Sequence, residues 1–289
     1  MSKNIHVAIG STTSMPGDLK RNLGQIGDFA RRAAADGVAL LLTPEMSATG
    51  YGNYPDVLAL AEAAGKGAVY VGLACLAKET GVVICAGFVE ANGAKRHLAH
   101  YVVYPDGRYI VQRKHRITPV EHPLEPAVEL RPVPGEESGQ PVEVIINCFE
   151  VNQVRCAISI CADAGIDRLS EILAEKGVEL LLGPTGAGGP RAERVTTSEL
   201  RTAEGLAKYT KILQTVFFVG GGAADCIKYR RGLAAVNMCG YDGRKHAHLG
   251  HGMIVNPMGE VVGFFHGIPN IDRQRPMYAH AVVDVEERV

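Results

Sequence analysis

The sequence predicts an α/β fold built on sheets of mixed strand direction. Short apolar runs bounded by turn residues alternate with stretches of helical periodicity. Two hairpin signals, Pro105-Asp106-Gly107 and Asn256-Pro257-Met258-Gly259, argue against a purely parallel sheet. The 289 residues are 46% apolar and 21% charged, the make-up of a globular chain and not of a disordered one. No low-complexity linker or short-period repeat divides them, so residues 1–289 are expected to form a single domain.

Residues 5–10 read as a first strand. A helix is expected over 18–36, with Leu23, Ile26, Phe29, Ala30 and Ala33 at helical spacing and Asp36-Gly37 as its stop. The run Val38-Ala39-Leu40-Leu41-Leu42-Thr43, closed by Pro44, reads as a strand buried on both faces. A helix over 67–80 and a strand over 82–87 repeat the unit. Residues 99–104 and 109–113 flank the first hairpin turn. Residues 114–141 carry six prolines and little periodicity, which suggests a long ordered loop. Strands follow at 154–160, 178–182, 215–219 and 278–285, helices at 168–176 and 192–211, a Gly/Pro-rich loop at 183–190 and a hairpin across 252–262.

A formal net charge of −1, with no basic stripe, supplies no electrostatic reason to expect nucleic acid or a membrane surface as partner. No run of about 18 uncharged apolar residues suggests a membrane span, and Met1–Val7 has no apolar signal core behind a basic flank. Seven cysteines without a Cys-x-x-Cys pair point away from a disulfide framework and towards a reducing cytoplasm.

Three residues share one kind of position. Glu45 follows the strand 38–43, Lys114 follows 109–113 and Cys161 follows 154–160. Ligand sites of open α/β sheets form at the C-terminal strand ends, so distant side chains can meet there. Their chemistry is complementary. A thiol is mostly un-ionised at neutral pH, and a carboxylate within reach can take its proton and later pass it to a leaving amine. An ammonium can stabilise the oxyanion of a tetrahedral intermediate, with the Ala162 backbone N–H as a second donor. The set fits acyl transfer through a thioester. Each residue taken singly also has an ordinary reading: loop carboxylate, surface cation, core thiol.

At these residues the sequence resembles the nitrilase, or carbon–nitrogen hydrolase, superfamily. Leu41-Leu42-Thr43-Pro44-Glu45-Met46-Ser47-Ala48-Thr49-Gly50-Tyr51 is similar to the general-base motif, and Tyr104 through His115 to the lysine motif with its preceding hairpin. Ile158-Ser159-Ile160-Cys161-Ala162-Asp163 is similar to the nucleophile motif. The motifs occur in order over nearly the whole chain. The resemblance implies a four-layer α-β-β-α sandwich, a homodimer or larger homo-oligomer, and no metal or organic cofactor. It implies Cys161 as nucleophile, Glu45 as general base and Lys114 as oxyanion stabiliser. It also implies that Glu129, in Glu129-Leu130-Arg131-Pro132, is a second glutamate orienting Lys114. Tyr51, Ala162 and His122 are the expected substrate contacts. Cys161-Ala162-Asp163 favours an amide or carbamoyl substrate over a nitrile. A nitrile with the same triad, and a non-catalytic binding or scaffold protein, are the alternatives.

The chain departs from the family where Ala162 and Ala164-Gly165-Ile166 stand after the nucleophile, and where Arg116 follows His115. Asp163 is expected to cap the helix that follows. His246, His248 and His251 have a spacing that a metal can use, but no carboxylate or thiolate completes a pattern; a loop at the pocket mouth or an oligomer contact is the preferred reading. The glycines of 183–189 and 220–222 lack phosphate-loop endings and read as turns.

Overall fold

Side-chain alternation along each central strand divides its residues between two apolar layers. In β1 (Lys3–Ser11), Ile5, Val7 and Ile9 point into one cluster and Ala8 into another. In β2 (Leu40–Leu42), Leu40 and Leu42 take the first side and Leu41 the second. This period of two on strands apolar throughout means that both faces of the sheet are covered.

The computed structural model describes residues 3–136, 139–186, 198–199, 202–205, 207–208, 222–244, 247–266 and 275–285. After β2 come the short helix α2 (Pro55–Ala59), helix α3 (Ala68–Thr80), and strands β3 (Val83–Asn92), β4 (Lys95–Val103) and β5 (Tyr109–Arg113). A small ribbon follows, β6 (Leu130–Arg131) with β7 (Gln140–Pro141). Then come β8 (Phe149–Val151), β9 (Val154–Ile158), helix α4 (Leu169–Glu175), β10 (Leu180–Thr185), a helix at Gly222–Tyr229 and β11 (Gly232–Asn237). The described chain closes with the ribbon β12 (Cys239–Tyr241) and β13 (Ala247–Leu249), then β14 (His251–Val255), β15 (Val261–His266) and β16 (Met277–Val285).

Two six-stranded sheets result, ordered β16-β1-β2-β3-β4-β5 and β15-β14-β11-β10-β9-β8. Each has three parallel strands at its centre, β1-β2-β3 and β9-β10-β11, with antiparallel strands outside them. The largest core cluster joins them face to face: Ile5, Leu42 and Val89 of one sheet share it with Ile158, Leu182 and Ile254 of the other. Helix α1 (Leu19–Ala35), N-capped by Asp18, and α3 cover the outer face of the first sheet through Ile26, Ala30, Leu73 and Ala77. Helix α4 and the helix 222–229 cover the second through Leu173 and Cys226. The architecture is therefore the expected four-layer α-β-β-α sandwich.

The structure adds elements to the sequence reading. Within 114–141, read as loop, lie a 3-10 turn at Pro119–Glu121 and the β6-β7 ribbon. The helix 222–229 and β11 were unassigned from sequence, because short apolar runs such as Gly232-Leu233-Ala234-Ala235-Val236 lack a distinguishing period. The strand expected at 215–219 lies outside the described residues, as does most of the helix expected over 192–211.

Leu182 is fully buried between the two sheets. Leu182→Ala is expected to lower unfolding stability by about 2–5 kcal/mol in a denaturant titration. A loss below about 1 kcal/mol would show that the sheet–sheet layer is not the main core.

Candidate active site

Glu45 sits in a tight turn just past β2, pressed onto β3. The Thr43 N–H donates to the Cys85 carbonyl (2.9 Å) and the Ala48 N–H to the Gly87 carbonyl (2.9 Å). The Gly87 N–H donates to Ser47 Oγ (3.1 Å). A Cβ on Gly87 would lie 2.1 Å from the Met46 nitrogen, so only glycine lets the turn come this close. Lys114 follows β5, which runs in the same direction as β2 because two antiparallel pairings separate it from β3. Its N–H donates to the Leu98 carbonyl (2.9 Å), and its carbonyl accepts from Ala127 (2.8 Å). Cys161 follows β9 in the facing sheet. It opens a 3-10 turn, Cys161–Gly165, with φ of +50°, a region that costs a non-glycine residue free energy.

The side chains of Glu45 and Lys114 are completely buried. Lys114 Nζ donates to Glu45 Oε1 at 2.7 Å and to Glu121 Oε1 at 2.6 Å. Glu121 Oε1 also accepts from the Tyr51 hydroxyl (2.9 Å), and Oε2 from the Thr118 N–H (2.9 Å) as one half of a capping box. Glu45 is pushed up to about 7, because burial and the charge of Glu121 oppose its ionisation more than Lys114 favours it. Burial works against the Lys114 charge, but Glu45, Cys161 and Glu121 outweigh it and hold the ammonium above its ordinary range. Burial, then the neighbouring Glu45 charge, push the Cys161 thiol up, against the pull of Lys114. At rest the site thus holds a thiol, a permanent cation and a carboxylate poised near neutrality.

The carboxylate on Lys114 is Glu121 and not Glu129, the residue the family resemblance implies. Glu129 is exposed beside the β6-β7 ribbon, and its backbone carbonyl accepts from Val142. The signal for Glu121 was present: Thr118-Pro119-Val120-Glu121 has capping-box spacing. Tyr51 is buried, and its hydroxyl holds Glu121. Ala162 is half-buried in the 3-10 turn that opens with Cys161. His122 is exposed, with its carbonyl accepting from Asn53 Nδ2 (2.5 Å). Asp163 caps no helix. It is buried and accepts from the backbone of His115 and Arg116, while α4 begins after Arg168 without a side-chain cap. His248 is buried edge-on to Tyr51, with ring centroids 5.6 Å apart, and burial pushes His251 down to about 4. His246 lies outside the described residues. Among the described residues no three His, Cys, Asp or Glu side chains are grouped to hold a metal ion, and no helix is long and apolar enough to cross a membrane.

The class of protein follows from the family that this chain matches. The carbon-nitrogen hydrolase family model matches residues 6–266, and the chain belongs to that family. It is an enzyme acting on carbon–nitrogen bonds other than peptide bonds. Zebrafish (Danio rerio) omega-amidase NIT2 is 26% identical over 253 residues, 83% of this chain and 77% of that protein. Human deaminated glutathione amidase is 26% identical over 265 residues, 89% of this chain and 72% of its own. Among solved structures, an amidase from Nesterenkonia sp. superposes with a TM-score of 0.68 at 20% identity, covering 99% of this chain and 91% of that one.

The two glutamates can be told apart by measurement. Glu121→Gln removes a charged acceptor from a buried ammonium and is expected to lower turnover roughly 10- to 100-fold. Glu129→Gln is expected to stay within about twofold, as an exposed substitution. Reversed effects in steady-state kinetics would return the role to Glu129.

Proposed function

We propose that the chain is a thiol amidohydrolase that cleaves a non-peptide amide or carbamoyl C–N bond through a Cys161 acyl-enzyme. The observation that carries this reading is the joint burial of Glu45 and Lys114 in direct contact, with Cys161 close enough to couple to both charges. Cys161 Sγ attacks the carbonyl carbon as Glu45 takes the thiol proton. The oxyanion that forms is stabilised by Lys114 Nζ and the Ala162 N–H. Glu45 returns the proton to the leaving nitrogen, the C–N bond breaks, and ammonia or an amine departs. Water then attacks the thioester, again giving a proton to Glu45. Collapse releases the acid and restores the thiol.

Glu121, held by Tyr51 and Thr118, fixes the lysine from its other side. A small molecule is the proposed partner, as the amidase relatives suggest. An amide is favoured over a nitrile by Cys161-Ala162-Asp163 and by the amidase names of the curated relatives. A solved Nesterenkonia amidase variant carries acrylamide added at its active-site cysteine. The departures after the nucleophile do not separate the triad, which favours an enzyme over a scaffold. Seven free cysteines suit the proposed cytoplasmic setting. A single domain assembled as a homo-oligomer completes the proposal.

Cys161→Ala and Glu45→Gln are each expected to reduce amide turnover at least about 100-fold, with ammonia release and acid formation as the assay. Glu45 must be ionised to accept the thiol proton. It is pushed up to about 7, so kcat/KM is expected to rise with pH through about 7 and to fall off below it. Full turnover by Cys161→Ala would sink the mechanism. Faster hydrolysis of nitriles than of matched amides would transfer the triad to the nitrile reaction.

A further inference from the structure

The proposed nucleophile and the lysine lie on different sheets, and their relative placement depends on whatever joins the two loops. Two side chains cross between these loops in opposite directions. From the nucleophile turn, the buried Asp163 carboxylate accepts from the N–H of His115 (3.0 and 3.2 Å) and of Arg116 (2.8 Å), with His115 Nδ1 at 3.5 Å. These are the two residues directly after Lys114. His115 is itself held, because its Nε2 accepts from the Ile145 N–H (3.0 Å). From the lysine loop, Arg116 reaches back and donates through Nη1 to the Ala162 carbonyl (3.4 Å). Its Nη1 lies 2.1 Å from where a Cβ of Gly165 would stand, so the guanidinium fills the space that this glycine leaves. Nε donates to the Gly139 carbonyl (3.0 Å) and Nη2 to Glu136 (2.6 Å), which fixes the guanidinium in this position.

We infer that Asp163 and Arg116 form a reciprocal latch that positions Cys161 and the Ala162 N–H against Lys114. This rests on the reading of Cys161 as nucleophile. Three features argue that the latch serves alignment and not packing alone. The buried Asp163 carboxylate fixes the His115 and Arg116 N–H groups in direction, which an apolar side chain filling the same space cannot do, and its loss would leave them without an acceptor. Its contacts fall on the residues next to Lys114 and on the turn that opens with Cys161, not on the outer surface. Cys161 itself sits at a φ of +50°, which persists only where its surroundings fix it. The latch holds the turn from both ends: Asp163 from within, and Arg116 at Ala162 and Gly165. Asp163 and Arg116 are positioning residues; neither is placed on the reacting atoms.

The test compares Asp163→Asn, Arg116→Met and Cys161→Ala with the wild-type enzyme. The readouts are turnover of short primary amides and the rate at which iodoacetamide alkylates Cys161, mapped by peptide mass spectrometry from pH 5 to 9. In Asp163→Asn the new amide N–H₂ faces backbone N–H donors or leaves one of them without an acceptor. Turnover is expected to fall roughly 10- to 100-fold with KM changed far less, as misplacement of reacting groups by about an ångström does. Lys114 holds the Glu45 carboxylate down, so a lysine loop shifted away lets Glu45 rise. The acid limb of both readouts is therefore expected to move to higher pH by about half a unit or more. A loss of stability alone leaves that limb in place. Arg116→Met keeps the apolar stem and is expected to show the same direction with a smaller loss. It decides the matter if Asp163→Asn does not fold. Turnover within about twofold of wild type and an unmoved acid limb, in the folded variant, overturn the latch. Retained turnover in Cys161→Ala instead overturns the nucleophile reading beneath it.

Discussion

A lysine ammonium taken entirely out of water must be paired, and Lys114 is paired twice, with Glu45 at 2.7 Å and Glu121 at 2.6 Å. Removing one partner of such a buried group typically costs about 3–5 kcal/mol, because the charge left behind has no solvent. The two carboxylates are therefore not interchangeable parts of one salt bridge. Glu121 has both oxygens taken by Lys114, Tyr51 and Thr118, so it is the fixed counter-charge. Glu45 gives one oxygen to the lysine, while its thiol-coupled side faces Cys161. With both acids ionised the buried trio carries one excess negative charge. Glu45 is the group that relieves it by taking a proton near neutrality, and that is the property a general base and acid needs.

The rest of the structure serves to deliver these groups to one place. Strands apolar on both faces force two covered sheets, and two covered sheets packed together bring the ends of β2 and β5 opposite the end of β9. The local devices are then small. Gly87 lets the Glu45 turn close on β3, and Asp163 ties the Cys161 turn to the loop after Lys114. A site made of strand ends inherits the rigidity of the sheets, which matters when a hydrogen bond of 2.6 Å has to be kept without water to replace it.

Much of this was legible in the residues themselves. The continuous apolar run Val38–Thr43 closed by Pro44 and the helical spacing of Ile26, Ala30 and Ala33 predict elements that the structure contains. Strand-end placement pointed to Glu45, Lys114 and Cys161 together. What was not legible depended on long-range pairing. Glu121 and Glu129 stand in the same proline-rich stretch, and only the path of that stretch decides which carboxylate reaches Lys114. The capping box at Thr118 marked Glu121 as ordered but not as buried beside a lysine. Asp163 precedes a helix and so resembled a cap. Its partners lie 47 and 48 residues away, beyond any local signal.

The central claim is that Cys161 carries the acyl group of the substrate. The most direct measurement is rapid acid quench of the enzyme during turnover of a mixed primary-amide library, followed by peptide mass spectrometry. The account predicts a mass increase equal to the substrate acyl group on the peptide containing Cys161, absent in Cys161→Ala and accumulating in a variant slowed in deacylation. An acyl adduct on another residue, or steady amide hydrolysis by Cys161→Ala, would contradict it.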